Sequence, residues 1–166
     1  MTQFSNLNIA AARRPGETNP NGSFKTERNF WDFIIDGISL RSNWQSPDDF
    51  GIMTDVIGVL GWGTAESEHE AVAKLRKEAE PDYPPNRIAL YVCPECGDLG
   101  CGAVTVAVER EEEVIIWSDF RWEVNWYADH QDESTVYLKL GPFRFALDSY
   151  IEVLNRALMQ RPKAGY

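Results

Sequence analysis

The spacing of apolar and polar residues changes character along the chain. From Arg87 onward it has period two: IALYVC, AVTVAVE, VIIWSD, FRWEVNWY and STVYLKL are short, rich in β-branched and aromatic residues, and separated by turn or charge clusters. This pattern predicts an antiparallel meander. Within FRWEVNW, Phe120, Trp122, Val124 and Trp126 share one face while Arg121, Glu123 and Asn125 share the other, as in a half-buried strand. Glu109 to Glu113, EREEE, then reads as a solvated hairpin tip. Helical spacing occurs twice. Ser67 and Glu70 fit a capping box, and Val72, Leu75 and Ala79 recur behind them until Pro81, Pro84 and Pro85 end the segment. After Gly141-Pro142 and a short aromatic stretch, Leu147, Tyr150, Ile151, Leu154 and Leu158 trace the apolar face of an amphipathic helix.

Upstream, FWDFIIDGISLRSNW sets Asp36-Gly37 between two apolar runs. That dipeptide tolerates the positive φ angles of a two-residue primed turn and predicts a hairpin. Residues 1–27 combine Pro15, Gly16, Pro20, Asn21 and Gly22 with few apolar side chains, too few to offset the entropy of ordering. The expected organisation is a flexible N-terminal tail over 1–27 and a single α+β domain over 28–166. Its expected architecture is an antiparallel β-sheet meander of roughly five to seven strands with about two helices packed on one face.

Composition narrows the partners. Of 166 residues, 43% are apolar and 12% aromatic, enough for a substantial core. Twenty-six acidic against sixteen basic side chains give a net charge of -10, which repels phosphate backbones and anionic lipid. Nucleic acid and membrane are therefore not expected partners. The longest apolar runs are strand-sized, well below the roughly 20 residues of a bilayer span. The N-terminal arginines follow the weakly apolar stretch, the reverse of a secretory signal. With an odd number of cysteines, three, and no disulfide framework, the expected location is the reducing cytoplasm.

Those cysteines, Cys93, Cys96 and Cys101, lie together in YVCPECGDLGCGAVTV. CPECG has the spacing at which two thiolates reach one ion, and the glycine lets backbone amides turn toward the sulfurs. CPECGDLGC resembles the opening of retroviral-type zinc knuckles, with Cys101 where that family carries histidine. The last ligand of that family falls here on Val106, within a predicted strand, so a closed site needs a ligand from elsewhere. His130 is the candidate, because His69 lies among glutamates on a predicted helix. The candidate metal set is thus Cys93, Cys96, Cys101 and His130, for one zinc ion. A second reading makes Cys93 and Cys96 the C-P-x-C pair of a small thiol oxidoreductase, although no helix is expected to follow, and Glu95 and Asp98 would raise the thiol pKa. A third reads the segment as a glycine-rich connection with cysteines acting as small apolar side chains.

Other constellations are incomplete. GVLGWGTAESEHE occupies the position of a phosphate loop, but Trp62 fills its centre and Glu66, Glu68 and Glu70 repel phosphate. Asp129, His130 and Asp132 offer a base and an orienting carboxylate without a nucleophile elbow. Asp119 and Glu123 form a carboxylate pair of the kind expected by chance in an acidic protein. Six tryptophans, Trp31, Trp44, Trp62, Trp117, Trp122 and Trp126, exceed the usual number, and any that are exposed would anchor a protein interface.

YVCPECGDLGCGA, a following strand, an acidic turn, W-x-D-F and the closing GPFRFALDSYIEVL together resemble a group of small bacterial proteins that share a CPxCGDLGCGA stretch. The chain is also loosely similar to bacterial immunity proteins. The resemblance implies a bacterial, single-domain, cytoplasmic protein and brings no catalytic residues with it. Acidity, aromatic anchors and the lack of a complete catalytic constellation predict a non-enzymatic protein-binding protein. The most concrete form is an immunity protein that neutralises a cognate, basic toxin by direct binding. The alternatives are a zinc-binding module and the thiol oxidoreductase.

Overall fold

The computed structural model of the chain describes residues 3–44, 55–123 and 136–163. In chain order the elements are β1 (Leu7–Arg14), β2 (Glu17–Thr18), β3 (Phe24–Lys25), β4 (Arg28–Ile35), β5 (Ile38–Ser39), α1 (Leu40–Trp44), β6 (Ile57–Gly58), α2 (Ala65–Leu75), β7 (Arg87–Val92), β8 (Ala103–Glu111), β9 (Val114–Glu123), β10 (Val136–Tyr137), β11 (Phe143–Ala146) and α3 (Leu147–Met159). Antiparallel sheets with helices packed against them make this an α+β fold, as the residue pattern predicts.

β7, β8 and β9 form the expected meander at the centre of a six-stranded sheet. β6 adds to the edge of β7, and both β10 and β11 pair along the far edge of β9. Two stretches expected as separate strands, VIIWSD and FRWEVNWY, run as one over their described residues, Val114–Glu123. Ile115 and Trp117 point inward at odd positions, Phe120 and Trp122 at even ones. A bulge absorbs the phase change: Asp119 takes φ 54°, and the register slips between the pairs Ala107 with Ser118 and Thr105 with Arg121. Arg87 stabilises the bulge from β7, donating to the Asp119 carbonyl (2.6 Å) and to the Thr105 hydroxyl (2.9 Å). Val124 and Trp126 lie outside the described residues.

The Asp36-Gly37 turn forms as expected, with both residues at positive φ (51° and 83°) between β4 and β5. The expected tail needs correction. Leu7 to Arg14 pair residue for residue with Ile35 to Arg28, and Glu17 and Thr18 pair with Lys25 and Phe24. Leu7 and Ile9 are buried, so a strand with three alanines joins the core through its first two inward positions. β4 also reaches the larger sheet, where the Trp31 amide donates to the Leu60 carbonyl (2.9 Å).

Two further local features differ from the residue pattern. α2 starts at Thr64, whose hydroxyl accepts from the Ser67 amide (3.1 Å), three residues before the expected cap. GPFRFA, expected only as an aromatic stretch, supplies β11. The main core is aromatic: Trp117 meets Phe33, Phe145 and Tyr150 edge-on, with centroids 5.8, 5.1 and 6.0 Å apart. The Tyr150 hydroxyl accepts from the Trp117 indole (3.1 Å) and donates to the Leu75 carbonyl (2.7 Å), which ties α3 to β9 and to the end of α2. Among the described residues, no helix is long and apolar enough to cross a membrane.

Candidate metal centre

The loop between β7 and β8 carries the three cysteines. Cys93 comes directly after the last residue of β7, the Gly97 amide donates to the Cys93 carbonyl (2.9 Å), and Gly97 takes φ 68°. This tight turn is what glycine at the fifth position of CPECG permits. Asp98 then caps a 3-10 turn, Leu99–Cys101, by accepting from the Gly100 amide (2.8 Å), and this turn delivers Cys101 beside Cys96. Gly102 takes φ 101°, and a side chain there would meet the Trp122 ring at 2.3 Å, so the chain can enter β8 only through glycine.

The sulfurs converge. All three lie within 4.8 Å of one another, with Cys96 and Cys101 at 3.3 Å. Thiolates on one tetrahedral zinc ion stand about 2.3 Å from the metal and so about 3.8 Å from each other, a spacing these distances bracket. Cys93 is half-buried and the other two are exposed; none is in a disulfide. Burial pushes the Cys93 thiol up, but the backbone N–H groups of Cys96 and Glu95, with the neighbouring thiols, more than offset this and leave it below its ordinary value. The Cys101 thiol is pushed up to about 12, first by its hydrogen bond with the Cys96 sulfur, then by burial and by Cys93. Charge on Cys93 opposes ionisation of Cys101, and a cation among the sulfurs would remove that opposition.

The carboxylate of Glu95, expected to act on the thiols, is engaged elsewhere. Glu95 turns away: its carboxylate accepts from the Thr26 hydroxyl (2.7 Å) and amide (2.9 Å) and pairs with Arg14. Thr26 foremost, then Arg14, holds Glu95 down at about 2. Arg14 also forms a two-point pair with Asp55 (2.8 Å to each oxygen), which depresses the Asp55 carboxyl. Arg28 donates to the Pro94 carbonyl (2.8 Å) and lies over the Trp62 ring at 4.7 Å. Trp62 in turn is close enough to Gly97 that a side chain there would meet it at 2.9 Å. Leu99 packs on a small apolar cluster of Ala89, Val92 and Ala103. The loop is thus held by protein contacts from several elements.

Arg14, Thr26 and Arg28 fall inside or just past the expected tail, and neither their spacing nor their chemistry points to the cysteine loop. His130 lies outside the described residues, as do Asp129 and Asp132. His69 is exposed on α2, with Nδ1 2.8 Å from the Ala65 carbonyl. Beyond Cys93 the chain runs through a turn and a 3-10 turn into β8, so no α-helix follows it directly. In the expected phosphate-loop position the Gly61 and Gly63 amides both donate to Glu68 (2.6 and 3.0 Å), so a carboxylate of the chain occupies them. Asp119 pairs with Arg87 (3.2 Å) and Arg121 (2.5 Å), and Glu123 lies 3.5 Å from each arginine. Trp31, Trp117 and Trp122 are buried and Trp62 half-buried, so these four serve the fold before any interface.

No family model, curated protein or solved structure matches the chain.

Proposed function

We propose that the protein is a zinc-binding, non-enzymatic module in which the thiolates of Cys93, Cys96 and Cys101 hold one ion. The observation that carries this reading is the convergence of three sulfurs within 4.8 Å on a turn whose amides face Cys93. His130 is the proposed fourth ligand. The compartment that goes with this reading is the reducing cytoplasm, supported by three free thiols. Protein purified without chelator is expected to carry about one zinc per chain. Cobalt(II) substitution is expected to give thiolate charge-transfer absorption and intense tetrahedral bands, and replacing His130 by alanine to weaken the latter. A folded, reduced protein that takes up no metal overturns the reading.

A protein-binding role on this scaffold is supported by the net charge of -10, which speeds capture of a basic partner. In its most specific form the partner is a cognate toxin, which the module blocks as an immunity protein. Co-expression with any toxin encoded beside it is the test, and failure both to bind and to protect overturns that role.

A further inference from the structure

The three thiols are not equivalent. Cys96 and Cys101 are exposed and in contact, 3.3 Å between sulfurs, whereas Cys93 is half-buried under backbone donors at the end of β7. Cys93 is also the better anchored. Its carbonyl accepts from Gly97, and the next carbonyl, of Pro94, accepts from Arg28. Cys101 instead ends a 3-10 turn flanked by Gly100 and Gly102.

We propose that the metal centre is redox-gated: two-electron oxidation joins Cys96 to Cys101 and expels the ion. The proposal rests on the zinc reading above. A disulfide needs its sulfurs about 2.05 Å apart, so the pair has to close by about 1.3 Å, within reach of a glycine-flanked turn. The oxidant is hydrogen peroxide. One of the two exposed sulfurs attacks the peroxide, the O–O bond breaks, and a sulfenic acid forms as the first water leaves. The second sulfur attacks the sulfenic sulfur, the S–S bond forms, the S–O bond breaks and the second water leaves. The two zinc-held thiolates give up two electrons, two protons are taken up from solvent, and the hydrogen peroxide is reduced to two waters. Cys93 then remains as the lone sulfur ligand, which does not retain zinc against water. The surrounding clamp of Arg14, Thr26 and Arg28 uses no cysteine side chain, so the loop keeps its seat in both states.

The test uses the full chain, reduced and loaded with zinc, and treated with one equivalent of hydrogen peroxide. Three quantities are read: zinc released to a coloured chelator, the number of free thiols, and the position of the surviving thiol by differential alkylation. Release of the bound zinc, a fall from three thiols to one and a survivor at Cys93 are the expected results, with thiol reductant restoring metal binding. A Cys93→Ser chain, stripped of metal, is expected still to form the disulfide. Zinc that stays bound, a survivor at Cys96 or Cys101, or a sulfinic acid in place of the disulfide overturns the gating and leaves the zinc reading standing. Reduced protein that takes up no zinc overturns both, whatever its thiols do.

Discussion

Glu95 stands between Cys93 and Cys96, and its side chain is engaged elsewhere. Its carboxylate faces Thr26 and Arg14, and that choice makes the loop sensitive to acid. The folded carboxyl titrates at about 2, below the roughly 4.3 of a free glutamate. A depressed folded value means the contribution is complete above the unfolded value and is lost as pH falls through about 2. Acidification from pH 5 to pH 2 is therefore expected to free the loop from Thr26, seen as a fall in the Thr26 amide's protection relative to its intrinsic exchange rate at each pH. Glu95→Gln is expected to exchange faster already at pH 7 and to flatten the acid dependence. CPECG itself is legible as a ligand turn because its glycine and spacing are local chemistry. The partners of Glu95 are not, since Thr26 and Arg14 lie 69 and 81 residues away and no periodicity connects them.

Among the elements, the strength of the local pattern decides what the sequence reveals. The meander and α3 carry dense β-branched, aromatic or leucine positions at a clear period, and both form where expected. β1 carries only Leu7 and Ile9 with a run of alanines, and is a strand because β4 offers it a ladder and a core. The break at Ser118 and Asp119 reads as a turn in the sequence because a bulge and a turn both interrupt period two. Deleting residues 1–14 tests the placement of β1. It removes the buried Leu7 and Ile9, at about 1.5–3 kcal/mol each, and the Arg14 anchor. Against a typical total of about 5–15 kcal/mol, the truncated chain is expected to unfold at much lower urea concentration, read by circular dichroism. An unchanged midpoint would restore the tail.

At the scale of the molecule, the aromatic core and the cysteine loop are separately supported. The core rests on Trp117 and its neighbours, and the loop on Arg14, Thr26, Arg28 and Leu99. Metal removal is therefore expected to leave the tryptophan near-ultraviolet dichroism intact, unlike a zinc finger, which unfolds without its ion. Added zinc should still stabilise by mass action, about 2.7 kcal/mol at a hundredfold excess over its dissociation constant, read as a rise in Tm. Loss of the folded signal on chelation would show that the ion carries the fold.

α3 rests on β1, where Arg156 donates to the Asn8 side chain across 148 positions of sequence, and the Ser5 amide reaches the Arg144 carbonyl (2.7 Å). On the ribosome, β1 can find β4 early, but the helix that covers it does not yet exist. β1 must wait for α3, with Leu7 and Ile9 uncovered until that helix is made. Long-range closure of this kind slows folding and lengthens the time an adhesive edge is exposed. The polar residues at the ends of β1, Ser5 and Asn6 before it and Arg13 and Arg14 as its last two residues, then act as its guard against neighbouring chains until α3 arrives.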